Sequence, residues 1–65
     1  MKSVWILFCD YLDCLYIIKI FDSEEKAKVG RVLHLSKYFK DNNILCIDER
    51  HRIMKNYFIK KYEVN

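Results

Sequence analysis

Two apolar runs separated by a short polar segment are the feature that most restricts the fold of this chain. Residues 4–9 read Val-Trp-Ile-Leu-Phe-Cys, a run too short for a typical helix and rich in β-branched and aromatic types. Such a run predicts a strand that is buried on both faces and therefore lies in the centre of a sheet. Residues 14–21 form a second apolar run, and Asp-Tyr-Leu-Asp at residues 10–13 supplies turn chemistry between the two. We therefore predict an antiparallel hairpin.

The segment Asp-Ser-Glu-Glu at residues 22–25 has the pattern of a helix start. Asp22 or Ser23 can accept hydrogen bonds from the first free amides, and Glu25 follows Asp22 by three residues, as in a capping box. We predict a helix from about Ser23 to Phe39 or Lys40 that packs on one face of the sheet. Its expected apolar stripe consists of Val29, Val32, Leu33, Ser36 and Phe39, with Ala27 and Leu35 at the borders.

The second half of the chain has weaker patterns. Residues 41–43 are typical of a helix end, and the apolar run at residues 44–47 predicts a short third strand. Residues 48–56 are polar and fit either a long hairpin loop or a helical turn. Residues 57–64 predict a last strand, whose lysines indicate a sheet edge.

Together these patterns predict one α+β domain over residues 1–65. We expect a small, largely antiparallel sheet of three to four strands with one main helix on one face, in the order ββαβ or ββαββ.

Both faces of the predicted hairpin are apolar, although the sequence contains a single strong helix pattern. Monomers rarely leave such a face open, and a chain of 65 residues has a marginal core. We therefore expect a homodimer, or a complex with a target protein, that covers the helix-free face. Trp5 is the expected anchor if the strand alternation directs it outward; in the other phase it faces the helix. The expected interface residues are Trp5, Leu7, Leu15, Ile17 and Phe21.

The sequence has no arrangement typical of catalysis. Its single glycine, Gly30, excludes a glycine-rich phosphate loop. Cys9, Cys14 and Cys46 are odd in number and lack the tight pair spacing of structural zinc sites. We therefore expect no enzyme activity, no cofactor, no metal and no structural disulfide. The apolar run at residues 4–9 is too short for a signal peptide, so we also expect a cytoplasmic protein. Because no run approaches the roughly 18 apolar residues of a membrane span, we expect that it does not enter membranes.

Positive charge is concentrated in the second half of the chain. Residues 26–65 contain ten basic against four acidic residues, and aromatic residues lie among the basic ones near the end. Cations for phosphates combined with rings for bases are typical of proteins that bind single-stranded nucleic acid. The candidate residues for this alternative are Arg50, Arg52, Lys55, Lys60, Lys61, Tyr57 and Tyr62.

Two motifs carry a resemblance to known proteins. Residues 21–27, after an apolar hairpin, and residues 58–63 resemble a group of short uncharacterised bacterial and phage proteins with a ββαβ layout. Those proteins have a Ser-x-Glu-Lys-Ala helix start and a final aromatic-x-x-x-Tyr-Glu strand. The resemblance covers residues 4–39 and 57–64, and this chain departs from it in the longer segment at residues 41–56.

The resembling group brings no known activity, but the short chain, rich in lysine, isoleucine and asparagine, is also similar to phage proteins; with the lack of catalytic motifs, we expect a phage-encoded, non-enzymatic protein of the host cytoplasm. Such a protein would bind and block a host factor, for example a defence protein, or sequester a small ligand. The alternative function is the nucleic-acid-binding module described above.

Overall fold

A computed structural model describes residues 2–64 and confirms the α+β class. Its elements follow the order ββααβ: β1 (Lys2–Tyr11), β2 (Cys14–Phe21), α1 (Glu24–Asp41), α2 (Ile47–Met54) and β3 (Tyr57–Val64). The sheet has three strands in the order β2-β1-β3, and both pairs are antiparallel. The apolar first strand is central, as predicted, and β3 lies at an edge. No helix among the described residues is long and apolar enough to cross a membrane.

The hairpin turn is tighter than the predicted four residues. Strands β1 and β2 extend to Tyr11 and Cys14, so Leu12 and Asp13 alone form the turn. Both have positive φ angles, 50° and 62°, as in the type I′ turns that match the twist of a hairpin. The sequence obscures this turn because leucine is uncommon in the left-handed conformation.

Helix α1 begins where the capping pattern predicts. Ser23 is the N-cap, and its hydroxyl accepts a hydrogen bond of 3.2 Å from the amide of Lys26. Asp22 forms an exposed ion pair of 3.1 Å with the Lys26 side chain. The cap is therefore Ser23, while Asp22 supports the first turn from outside.

The predicted apolar stripe of α1 is wrong in its rotation. Val29, Val32 and Leu33 are more than half exposed, whereas Ala27, Leu35 and Phe39 are buried. The two smallest residues of the helix explain the difference: Ala27 is fully buried, and Gly30 lies so close to the Phe21 ring that a β-carbon there would collide with it. Small residues allow the helix to approach the sheet closely, and this approach determines which side of α1 is buried.

The predicted third strand at residues 44–47 is wrong, and the ambiguous segment after it is helical. Residues 44–46 form a connection in which the Ile44 amide donates to the Phe39 carbonyl (2.9 Å). Helix α2 then starts at Ile47, with Asp48 and Glu49 in its first turn, where acidic side chains interact favourably with the helix dipole.

The core lies between α1 and one face of the sheet. Its buried members are Leu7, Cys9, Leu35, Phe39 and Tyr57. Ile53 and Met54 of α2 pack against this cluster from the side.

Arg31 of α1 connects the helix to the junction between α2 and β3. Its guanidinium donates to the carbonyls of Met54 (2.8 Å) and Tyr57 (3.1 Å). Both helices are thereby fixed on the same side of the sheet, and no other element within residues 2–64 covers the opposite side.

Candidate binding surface

The helix-free face of the sheet is an apolar surface that no other element of the described chain covers; we call it the open face. Its residues follow from the strand register, because directly paired residues point to the same side. Nine of them are apolar: Val4, Ile6, Phe8, Leu15, Ile17, Ile20, Phe58, Tyr62 and Val64. Within the described strands, the charged residues on the open face are Lys2, Asp10 and Lys60.

A β-bulge in β2 determines which side chains reach the open face. Leu7 pairs with Lys19 and Phe8 pairs with Ile17, so Ile18 is the extra residue. A bulge of this kind reverses the alternation beyond it. Ile17 and Ile20 therefore lie on the same face although they are three residues apart.

The bulge divides the interface residues predicted from the sequence. Leu15 and Ile17 lie on the open face, where the prediction placed them. Trp5, Leu7 and Phe21 lie on the helix side: Leu7 is 1% exposed, and Trp5 pairs with Phe21, whose ring lies against α1. The placement of these three residues at an outer interface is therefore wrong, because strict alternation was assumed across the bulge.

Ile20 is the open-face residue of β2 that sequence reasoning missed. Leu15, Ile17 and Ile20 are each between 56% and 60% exposed. Fully burying an aliphatic side chain contributes about 1.5–3 kcal/mol, so covering these three would contribute about 3–5 kcal/mol before association costs.

Aromatic rings cover the β1–β3 half of the open face. The Phe8 ring is stacked on Phe58 with centroids 5.3 Å apart, and it meets Tyr62 edge-on at 6.2 Å. The Lys60 ammonium lies 5.7 Å from the centre of the Phe58 ring. Phe8 is buried beneath its neighbours, and Tyr62 remains partly exposed at the surface.

The predicted nucleic-acid-binding residues that lie on or beside α2 are not on the open face. The Arg50 guanidinium donates to the Ile44 carbonyl (2.7 Å) and lies 5.3 Å from the centre of the Phe39 ring. Arg50 therefore holds the connection between the two helices. Arg52 and Lys55 are exposed on or beside α2, on the helix side of the molecule.

The predicted basic and aromatic residues of β3 are divided between the two faces. Lys60 and Tyr62 lie on the open face. Lys61 lies on the other side, 5.8 Å from the centre of the Trp5 ring and 3.6 Å from the Glu63 carboxylate. The predicted nucleic-acid-binding group is therefore not one continuous patch.

Tyr57 is buried against the helices, so a role in stacking on a base is wrong for this residue. Its ring lies 5.3 Å from that of His34. Burial raises the pKa of the Tyr57 phenol to about 12, and a hydrogen bond to Cys9 contributes in the same direction.

Within the described residues, the side chains that could bind a metal or act in catalysis are spread over separate parts of the fold. No cluster of three or more histidine, cysteine or acidic side chains occurs within residues 2–64. Cys9 is buried in the core, whereas Cys14 and Cys46 are exposed at separate places, the end of the hairpin turn and the start of α2.

Comparison of the chain with protein-family models, curated proteins and solved structures found no match. The open face must therefore be interpreted from its own chemistry.

Proposed function

We propose that this chain is a non-enzymatic binding protein whose open face docks on an apolar surface of another protein. The observation that carries the proposal is the exposure of Leu15, Ile17 and Ile20 beside a ring cluster on a face that the described chain leaves uncovered. Contiguous exposed apolar surfaces of this kind mark interaction sites.

The chemistry of the open face favours a protein partner over a small ligand. A small ligand is usually held in a concave pocket that buries most of its surface. The open face is the outside of a sheet, and its apolar residues are spread over three strands. Such a surface is complementary to another protein, and the ring cluster provides anchors of the type found at the centres of interfaces.

A protein that docks through the open face can block its partner by covering the partner's functional surface. A protein of 8.0 kDa that covers an apolar functional surface of its partner inhibits that partner without chemistry of its own. The resemblance to short phage proteins supports a host factor in the cytoplasm, such as a defence protein, as the partner.

The test compares two lysine substitutions at apolar residues of matched exposure. Ile20→Lys places a charge on the open face, and Val29→Lys places the same charge on α1, where the side chain is 58% exposed. The tagged protein and both variants are used to capture partners from a cytoplasmic extract of a susceptible host, followed by quantitative mass spectrometry. We expect a partner that is retained by the parent protein and by Val29→Lys and lost with Ile20→Lys.

Two controls make the capture experiment decisive. Circular dichroism and thermal unfolding must show that Ile20→Lys is folded, and Ile17→Lys must lose the same partner. Partners that bind all variants equally would contradict the open face as the binding surface.

Single-stranded nucleic acid is the second candidate partner, because Lys60, Phe58 and Tyr62 combine a cation with rings on the open face. Lys2 and Lys60 are the two cations placed there by the register. Two phosphate contacts give a salt slope of only about −1.4, since each contact with a single strand contributes about −0.7. The small number of cations is the reason why we place this candidate second.

Fluorescence anisotropy with a labelled oligonucleotide separates the two candidates. Nucleic-acid binding predicts affinity at low salt that falls with Tyr62→Ala and whose salt slope decreases with Lys60→Gln. Lys37→Gln on α1 is the control, because Lys37 is an exposed residue on the helix side. Absence of binding at low salt would eliminate this candidate and leave the protein partner.

A further inference from the structure

Strand β2 exposes apolar and aromatic side chains on both of its faces, whereas the exposed helix-side residues of β3 are the charged Lys61 and Glu63. Leu15 and Ile17 are exposed on the open face, and Tyr16, on the helix side, is 51% exposed. A partner packed on the open face alone would leave Tyr16 in water. A strand added at the edge of β2 would place side chains beside both sets of residues.

The hydrogen-bond phase of the sheet shows which backbone groups are directed toward such a strand. The Asp10 amide donates to the Asn56 carbonyl on the β3 side (2.8 Å). Alternation in antiparallel ladders then directs Cys9 toward β2, where it pairs with Tyr16. The backbone groups of Leu15 and Ile17 consequently point away from β1, toward the edge.

The two edges of the sheet are protected to different degrees. β3 carries Lys60, Lys61 and Glu63, and charges of this kind oppose edge pairing. β2 carries no charge from Cys14 to Ile18, and its regular part ends at Ile17, directly before the bulge residue Ile18. Residues 14–17 therefore form an apolar, regular and unprotected edge.

We propose that two copies of the chain pair antiparallel through residues 15–17 of β2, with the two-fold axis at Tyr16. In this register Leu15 lies opposite the partner's Ile17, and both side chains belong to the open face. Tyr16 lies opposite the partner's Tyr16 on the helix side. Each pair of Leu15 and the partner's Ile17 exchanges two backbone hydrogen bonds.

Charge complementarity favours a second copy over a foreign strand. Beyond the paired segment, the end of β2 that carries Lys19 lies toward the partner's hairpin turn, which carries Asp13, and the two-fold axis repeats this arrangement on the other side. Opposite charges thus lie toward each other at both ends of an apolar segment, and no like charges face each other within it. The arrangement is self-complementary, as an interface with two-fold symmetry requires.

The proposed dimer goes beyond the binding function of one chain because it joins two open faces into a single six-stranded surface. The partner's Leu15 and the partner's Ile17 extend the apolar patch across the axis. One target protein would then contact residues of both copies.

Sedimentation equilibrium is the first test. The paired segment is short, and interfaces below about 1,200 Å² of total buried area are typically weak, so the protein is examined from about 1 µM to about 1 mM. Chemical synthesis provides a chain with an N-methylated Leu15 amide and a control with an N-methylated Lys61 amide at the outer edge of β3. We expect the Leu15 change to weaken dimerisation about tenfold or more, since two symmetric hydrogen bonds are lost, and the Lys61 change to leave it unaltered. A monomer over the whole range, or equal effects of the two changes, would overturn the proposal.

Disulfide trapping tests the register independently. Paired residues without mutual backbone bonds have α-carbons about 4.5 Å apart, within the range of a disulfide. In a chain with Cys9→Ala, Cys14→Ser and Cys46→Ser, where no thiol remains opposite position 16 in the same chain, Tyr16→Cys is expected to form a cross-linked dimer rapidly under mild oxidation, and Tyr62→Cys is not. The opposite result would indicate two open faces packed against each other and would overturn edge pairing. Loss of partner capture by Ile20→Lys is measured separately, so failure of the dimer and failure of the open face can be distinguished.

Discussion

The hairpin turn of this protein carries backbone strain that one substitution should relieve. Leu12 adopts a φ angle of 50° at the first central position of the turn. The left-handed conformation costs about 1–2 kcal/mol for an ordinary residue and much less for asparagine. The Leu12 side chain is 78% exposed, so its replacement loses little packing. We therefore expect Leu12→Asn to increase the free energy of unfolding by about 1 kcal/mol.

Leu45→Asn is the matched control for this substitution. Leu45 is 80% exposed, and it is not among the residues with a positive φ angle. The same chemical change is therefore made without relief of strain, and we expect a stability change near zero.

Thermal unfolding at one fixed protein concentration measures both variants, because self-association would make the midpoint depend on concentration. For a domain of this size a gain of 1 kcal/mol raises Tm by about 4–8 °C. Equal midpoints for Leu12→Asn and Leu45→Asn would refute the assignment of strain to the turn. A further gain from adding Asp13→Gly is expected, since Asp13 also has a positive φ angle.

Four other substitutions probe the remaining structure. Ser23→Ala removes the cap of α1 and should cost about 1 kcal/mol in urea unfolding, whereas Asp22→Ala should cost little because its ion pair is exposed. Arg31→Met removes two hydrogen bonds from a charged donor to backbone carbonyls, and we expect the free energy of unfolding to fall by about 2–4 kcal/mol. A change below about 0.5 kcal/mol, as for a neutral surface substitution, would show that these contacts do not stabilise the fold. The folded-state pKa of Tyr57 is raised to about 12, so the neutral phenol stabilises the folded state below its ordinary pKa near 10, and this stabilisation is lost as the pH rises from about 10 to about 12. The free energy of unfolding of Tyr57→Phe should therefore fall less over this pH window than that of the parent protein. Parallel curves of stability against pH would contradict the raised pKa.

Edge pairing and the open face have different roles in the proposed function. The open face provides the apolar area that a target protein covers, and the β2 edge provides a directional contact between copies. Ile17 belongs to both, since its side chain lies on the open face and its backbone groups point toward the edge. Variants at Ile17 are thus expected to affect both activities, whereas Ile20, beyond the bulge, reports mainly on the open face.

Local patterns in the sequence were sufficient for the elements whose formation depends on neighbouring residues. The apolar run at residues 4–9 predicted the central strand, because a short run buried on both faces has one position available in a small sheet. The Asp-Ser-Glu-Glu segment predicted the start of α1, because capping involves residues within one turn of each other. The lysines of β3 likewise indicated an edge strand.

Tertiary contacts decided the features that define the binding surface. Rotation of α1 depends on the contact between Gly30 and Phe21, which belong to different secondary-structure elements. The choice of a helix for residues 47–54 depends on packing of Ile53 and Met54 against the core. Neither contact can be derived from periodicity, because periodicity describes one element at a time.

The bulge at Ile18 had the largest consequence for the candidate site. Alternation in the sequence identified two apolar faces and predicted that one of them would lack a helix. It could not identify which side chains lie there, since one additional residue moves every later side chain of the strand to the opposite face. The sequence by itself therefore determined that an uncovered apolar face exists. Only the pairing of β2 with β1 decided that Ile20 belongs to this face and that Trp5, Leu7 and Phe21 do not.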